Sequence, residues 1–259
     1  DGIAWYPWRE VDEARALPGV NVFRMTHTFA LPTATLAMRV PYPYGYEQAC
    51  RERVNAANLP GVTIDALGKT PGKRELAIMR LEPPDVQTAP KDRPTVLMYA
   101  REHATEPDGC WVVDGALRWL ISDDPDAKVA RQQCDWLLIS LLDPDEAAQS
   151  SYSGGDLFQA IAPIRPEALA YATYLIKWVD AGHQLALTIN IHNVECNEGP
   201  NLFNPFTNRI REKEIGALNA HLWGIAQQAG YTTGQPGWAM VGLANARLSG
   251  WCFQKFRTL

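Results

Sequence analysis

His103 and Glu106, three residues apart, and His192 far downstream are residues whose types and placement suit metal chemistry. A His and a Glu at that spacing, at the start of a helix, can point the same way and share one cation. A neutral imidazole from another segment completes three protein ligands and leaves zinc an open position for water. Water bound there ionises near neutral pH, which suits hydrolysis. The spacing is common in itself. The competing reading makes both histidines hydrogen-bonded loop residues and Glu106 a carboxylate at a helix N-terminus. Glu195, Glu198 and Cys196 lie close to His192 in sequence. Loop anchoring is the simpler role for the two glutamates, and proximity is the one argument for Cys196 as a ligand.

The elements that must position these residues are legible in the apolar pattern. The run Thr95-Val96-Leu97-Met98-Tyr99-Ala100 leads straight into the His103 segment, and Leu185-Ala186-Leu187-Thr188-Ile189-Asn190-Ile191 leads into His192. Further strands are expected at 62–67, 76–81 and 136–142, with helices over 46–57, 108–121, 166–181 and about 209–229. Near-continuous apolar strands separated by helices imply an α/β domain whose sheet is buried on both faces. In such sheets ligands bind beyond the carboxyl ends of the strands, where His103 and His192 fall. On the helix over 108–121, Val112, Val113, Ala116, Leu117 and Leu120 form the expected apolar face. Residues 1 to about 40 read differently, as short strand-like pieces at 20–23 and 35–40. The proline- and tyrosine-rich stretch 41–46 then marks a boundary. The division is therefore 1–40, the end of a β domain, and 41–259, the α/β domain.

Composition excludes several classes of function. The 259 residues are 46% hydrophobic and 20% charged, which suits a globular core. The net charge is -5 and the basic residues are scattered, so no nucleic-acid partner is expected. No apolar stretch approaches a membrane-spanning length, and no membrane association is expected. Five cysteines without a paired motif read as reduced, mostly buried thiols and lean toward a cytoplasmic location. The chain opens without a methionine, which leaves room for a longer parent polypeptide.

At this point a family resemblance can be stated. Ala100-Arg101-Glu102-His103-Ala104-Thr105-Glu106, with Trp111 following, resembles the first zinc motif of the M14 zinc carboxypeptidases. Ile191-His192-Asn193-Val194-Glu195 resembles the strand end that bears their third ligand, and Gly68-Lys69-Thr70-Pro71-Gly72-Lys73-Arg74-Glu75-Leu76 resembles the segment before the first motif. The stretch 41–46 is most similar to the cytosolic carboxypeptidase branch. The resemblance implies a mixed, mostly parallel central sheet flanked by helices, preceded by part of a β-sandwich domain. It also implies one zinc per chain, held by His103, Glu106 and His192, and a peptide or amide substrate.

The departures from that family carry information as well. Leu142-Asp143-Pro144-Asp145 resembles the Asn-Pro-Asp-Gly turn, with Asp143 and Glu146 at the outer positions. Gly155-Asp156-Leu157-Phe158-Gln159 resembles Gly-x-Asp-Leu-Asn-Arg, with Phe158 and Gln159 where Asn and Arg would grip a substrate carboxylate. No arginine lies in 145–159, and Arg165 is the nearest basic residue downstream. It is a candidate substrate contact, with a solvated arginine before Pro166 as the simpler reading. The family's catalytic glutamate lies on a late strand, whereas no glutamate follows Glu214, so that residue is expected beyond Leu259. The expectation is a zinc-dependent hydrolase of the metallocarboxypeptidase type. An amidase or deacylase on the same fold, or a zinc-binding module without catalysis, are its rivals.

Overall fold

The computed structural model describes residues 13–16, 23–37, 39–83, 89–149, 157–159, 162–193, 212–230 and 247–258. Two compact units divide at Pro41 and Tyr42. In the first, β1 (Glu13–Ala16) pairs antiparallel with β2 (Phe23–Thr26). The strand expected over 35–40 does not form in its described residues, which are irregular. They are mostly exposed, so nothing rewards an extended apolar run there.

The second unit is built on a five-stranded mixed sheet with order β3-β4-β6-β5-β9. Its strands are β3 (Val62–Lys69), β4 (Glu75–Leu81), β5 (Pro94–Ala100), β6 (Asp135–Ile139) and β9 (Gln184–Ile191). β5 runs parallel to both β6 and β9, while β3–β4 and β4–β6 are antiparallel. β6 ends at Ile139, short of the expected 142, although the Leu142 N–H still donates to the Ala100 carbonyl at 3.0 Å.

Alternate residues of the strands feed two cores. One face sends Leu76, Ile78, Leu97, Tyr99, Leu137 and Ile139 against α5 (Pro166–Asp180) and α7 (Leu248–Phe256). The other sends Met79, Leu81, Ala100 and Leu138 against α1 (Tyr44–Ala57) and α2 (Asp108–Leu120). Burial on both faces is why these strands read as continuous apolar runs rather than alternating ones. α2 departs from expectation in one respect. Val112 is exposed and Asp114 is buried in the helix's inner face, where Arg53 and Arg118 neutralise it.

Three helices complete the description: α3 (Pro125–Gln133), α4 (Pro144–Gln149) and α6 (Glu212–Gln228). α3 was not expected, since Ala127 is its one buried residue and no apolar period announces it. Asp124 makes it, accepting from the Asp126 and Ala127 N–H groups with Pro125 in the first turn. The two-residue strands β7 (Phe158–Gln159) and β8 (Ala162–Pro163) pair antiparallel. No described helix is long and apolar enough to cross a membrane.

One carboxylate ties the loops beside the sheet together. Asp145, at the start of α4, accepts from the Thr70 hydroxyl at 2.7 Å, the Gly72 N–H at 2.7 Å and Arg74 at 2.8 Å. Gly72 permits this approach, because a Cβ there would lie 2.4 Å from Asp145 Oδ1. Burial pushes the Asp145 carboxyl up, but the bonds from Thr70, Arg74 and Gly72 outweigh it and hold the group below the usual aspartate value. A depressed folded-state pKa contributes stability above the unfolded value and loses it as pH falls through the folded one. Asp145→Asn should therefore lower the urea midpoint at pH 7, by about 1–3 kcal/mol in stability. The gap from wild type should close as pH is lowered below about 4. A gap that stays constant with pH would show that the charge contributes nothing.

Candidate metal centre

The site begins where β5 stops. Ala100 ends the strand and Arg101 turns the chain with φ 63°, a left-handed conformation that non-glycine residues adopt at a cost. The Asp143 N–H donates to the Arg101 carbonyl at 3.2 Å, and the Arg101 side chain is buried, with a guanidinium nitrogen 3.9 Å from Cys110 Sγ. The next turn closes through the Glu106 N–H on the His103 carbonyl at 3.2 Å, and α2 follows at Asp108. Pro107 cannot cap that helix with its side chain. Asn193, arriving from the end of β9, does so by accepting from the Asp108 N–H at 3.2 Å.

β9 delivers His192 to the same place. The β5–β9 register pairs Ala100 with Ile191, so the segment from 101 onward and His192 leave adjacent strand ends. The Glu106 carboxylate lies between the two imidazoles, with Oε1 2.9 Å from His103 Nδ1 and Oε2 2.6 Å from His192 Nδ1. The Asn193 N–H adds a third bond to the carboxylate, reaching Oε2 at 3.3 Å. The two rings stand 4.9 Å apart between centroids. Burial pushes the Glu106 carboxyl up, but the hydrogen bonds from His103 and His192 prevail and hold it at about 2. His192 is shifted the other way. Burial lowers its pKa, yet Glu102 and Glu106 outweigh burial and Arg247 and raise it.

The expected ligands are thus brought together: one ligand atom from each of His103, Glu106 and His192 lies within 4.8 Å of the others. Two imidazole nitrogens and an ionised carboxylate are a zinc-type donor set. The short spacings between them are those of atoms that could share one small cation, so the residues present fit zinc. A second cluster of similar composition, Glu82, Asp135 and His183, sits at the other end of the sheet. There Arg93 holds Asp135 Oδ1 at 2.6 Å and Arg80 pairs with Glu82. Its carboxylates already have cationic partners, and the cluster is an ion-pair network.

Other expected residues fare differently. Arg165 is not a solvated arginine. Its guanidinium pairs with Asp143 at 2.7 Å, Glu146 at 3.1 Å and Glu167 at 3.5 Å, with 22% of the side chain exposed. Phe158 is fully buried and packs near Trp251, with ring centroids 6.1 Å apart. Glu195, Cys196, Glu198 and the Gln159 side chain lie outside the described residues. Sequence reasoning missed Glu102, which is 4% exposed and directs an oxygen to 3.7 Å from His192 Nε2. A carboxylate wedged between Arg101 and His103 at a strand end was the available signal.

α2 packs closely on the ends of β5 and β9, which lead to His103 and His192. Gly109 makes that possible, since a Cβ there would meet the Ile191 carbonyl at 2.8 Å and Ala100 Cβ at 3.0 Å. Both contacts belong to the strands that carry the ligands, and backbone cannot swing aside. Gly109→Ala should cost about 1–3 kcal/mol of stability, read as a lower urea midpoint, and should weaken metal binding at the same time. Unchanged metal affinity in a destabilised variant would show that α2 does not set the ligand geometry.

Residues 47–156 match the family model described as zinc carboxypeptidase, a segment that holds His103 and Glu106 but not His192. Cytosolic carboxypeptidase 2 of Xenopus tropicalis is 25% identical over 154 residues, covering 55% of this chain and 16% of that protein. Cytosolic carboxypeptidase 3 of Mus musculus is 24% identical over 166 residues, covering 60% and 16%. Among solved structures, a metallo-carboxypeptidase from Burkholderia cenocepacia superposes with a TM-score of 0.65 at 20% identity, covering 85% of this chain and 59% of that one. A metallo-carboxypeptidase from Pseudomonas aeruginosa gives 0.61 at 20% identity, covering 85% and 58%. The chain therefore spans 16% of the length of these curated relatives and 58–59% of these solved chains. It has the metallocarboxypeptidase fold, and its residues 47–156 match the zinc carboxypeptidase family model.

Proposed function

We propose that the protein is a zinc-dependent hydrolase of a peptide or amide bond, with one zinc per chain held by His103, Glu106 and His192. The observation that carries this reading is the convergence of two imidazole Nδ1 atoms on the Glu106 carboxylate at adjacent strand ends. Glu106 is ionised throughout the neutral range, so protons do not compete with a cation for it. Zinc in such a site polarises a carbonyl and lowers the pKa of water toward neutrality. The protein's part is to hold the three donors rigidly, through the β5–β9 register and the packing of α2. Glu102 and Glu106 are both engaged with imidazoles, so proton transfer falls to a further carboxylate.

The reading is narrower on one point of specificity. A substrate's terminal carboxylate is best gripped by a guanidinium fork. Phe158, at one of the family's two clamp positions, is buried in the core, and Arg165 is committed to three carboxylates. Arg165 would serve as the clamp by leaving those partners. This favours an amidase or deacylase over a strict exopeptidase as the second reading.

Two experiments test these proposals. Metal analysis of the purified protein should find one zinc per chain, and His103→Ala or His192→Ala should abolish it. Full occupancy in both variants rejects the site. A guanidinium contact to a carboxylate is worth about 1.5–3 kcal/mol, or roughly 10–100-fold in kcat/KM. Matched substrates with a free C-terminus and with a C-terminal amide should differ by less than that. A preference for the free acid beyond it, lost in Arg165→Gln, would return Arg165 to the substrate site.

A further inference from the structure

Glu102 is a charge with an unusual setting. Its carboxylate is buried at the end of β5, one residue before the first expected ligand. Oε1 accepts from the Leu248 N–H, in the first turn of α7, at 2.8 Å. Oε2 accepts from the Asn190 amide at 3.0 Å and the Tyr99 hydroxyl at 3.3 Å. These donors are neutral, and the ion pair the structure records for Glu102 is with His192, Nε2 to Oε2 at 3.7 Å. That nitrogen is itself buried and has no hydrogen-bond partner in the present geometry. An ionised carboxylate has about four acceptor sites, and donors among the described residues fill three.

The histidine tautomer links these facts. In the present arrangement His192 Nδ1 faces Glu106 at 2.6 Å. When Nδ1 binds a cation it carries no proton, and the ring's proton must sit on Nε2. A buried N–H without an acceptor is costly, and Glu102 is the carboxylate that faces it. We propose that Glu102 is a positioning residue of the metal centre. On this assignment its carboxylate receives the His192 Nε2–H, fixes the ring and tautomer for binding through Nδ1, and joins the N-terminus of α7 to the site. This inference rests on the zinc reading of His103, Glu106 and His192. It adds a residue that acts through His192 and touches neither metal nor substrate.

The α7 contacts make a purely structural role the competing explanation, and the two can be separated. Tyr99→Phe removes the hydroxyl that accepts the Ser249 N–H at 2.8 Å and donates to Glu102 Oε2 at 3.3 Å, loosening the docking of α7 while leaving the Glu102 carboxylate in place with its Leu248 and Asn190 donors. Glu102→Gln keeps an oxygen for Leu248 but sets an amide against His192 and Asn190. Zinc affinity would be measured by chelator competition for wild type and both variants, with Tm recorded with and without zinc. Glu102→Gln should bind zinc about 10–100-fold more weakly and show a smaller zinc-induced rise in Tm. Tyr99→Phe should lower Tm in both states with affinity within about threefold of wild type, a change too small for a lost partner of a ligand. A Glu102→Gln protein that binds zinc as tightly as wild type overturns the proposal, as does an equal loss of affinity in Tyr99→Phe. Nitrogen-15 NMR of the zinc-loaded wild-type protein gives a test independent of any variant's folding: His192 must be protonated on Nε2, and a proton on Nδ1 overturns the assignment. If wild type takes up no zinc, the metal reading itself fails and this inference falls with it.

Discussion

The site depends on one register. β5 and β9 are parallel neighbours, and their ladder ends with Ala100 opposite Ile191. Because the side-chain period of a strand is two, a slip of one residue would turn His192 to the other face and exchange the two cores to which the β5 and β9 side chains are fitted. The two buried faces make such a slip expensive, since Leu97 and Tyr99 feed one core while Ala100 feeds the other. The same forces that hold the core therefore hold the imidazoles within reach of one carboxylate. α2 then fits over the two strand ends at a distance that only a glycine at position 109 allows.

Two carboxylates treat His192 from opposite sides. Glu106 meets Nδ1 at 2.6 Å and Glu102 approaches Nε2 at 3.7 Å. Buried carboxylates are costly without hydrogen bonds or cations. Glu106 is offset by two imidazoles and a backbone N–H, Glu102 by a helix N–H, an amide and a phenol. Negative charge concentrated around two imidazoles favours a cation between them. The Glu82, Asp135 and His183 cluster shows the contrast: similar residue types face two arginines, and the charge is already balanced.

The loops around Arg165 and Asp145 are organised by internal ion pairs and hydrogen bonds. Asp143 and Glu146, at the outer positions of the Asn-Pro-Asp-Gly-like turn, both bind Arg165. Asp145, between them, instead fastens the 70–74 turn. Phe158 contributes apolar area to the core beside Trp251, where the family pattern has a polar residue.

By itself the sequence determined the α/β class and the strands whose ends bring His103, Glu106 and His192 together. Each of these is written locally, as an apolar run of strand length ending in a metal-binding residue type. What it could not decide were the partners of charges. Asp145 meets Thr70 across 75 positions and Glu102 meets Leu248 across 146. Arg165 reads as solvated until Asp143, Glu146 and Glu167 are folded around it. α3 has too little buried surface to leave a period, and Asp114 interrupts the apolar face of α2 because Arg53, 61 residues away, is there to receive it. Hydrophobic burial follows from the pattern along the chain, because it requires only that a face be covered. A buried charge requires one particular partner at hydrogen-bonding distance, and only the tertiary structure supplies that.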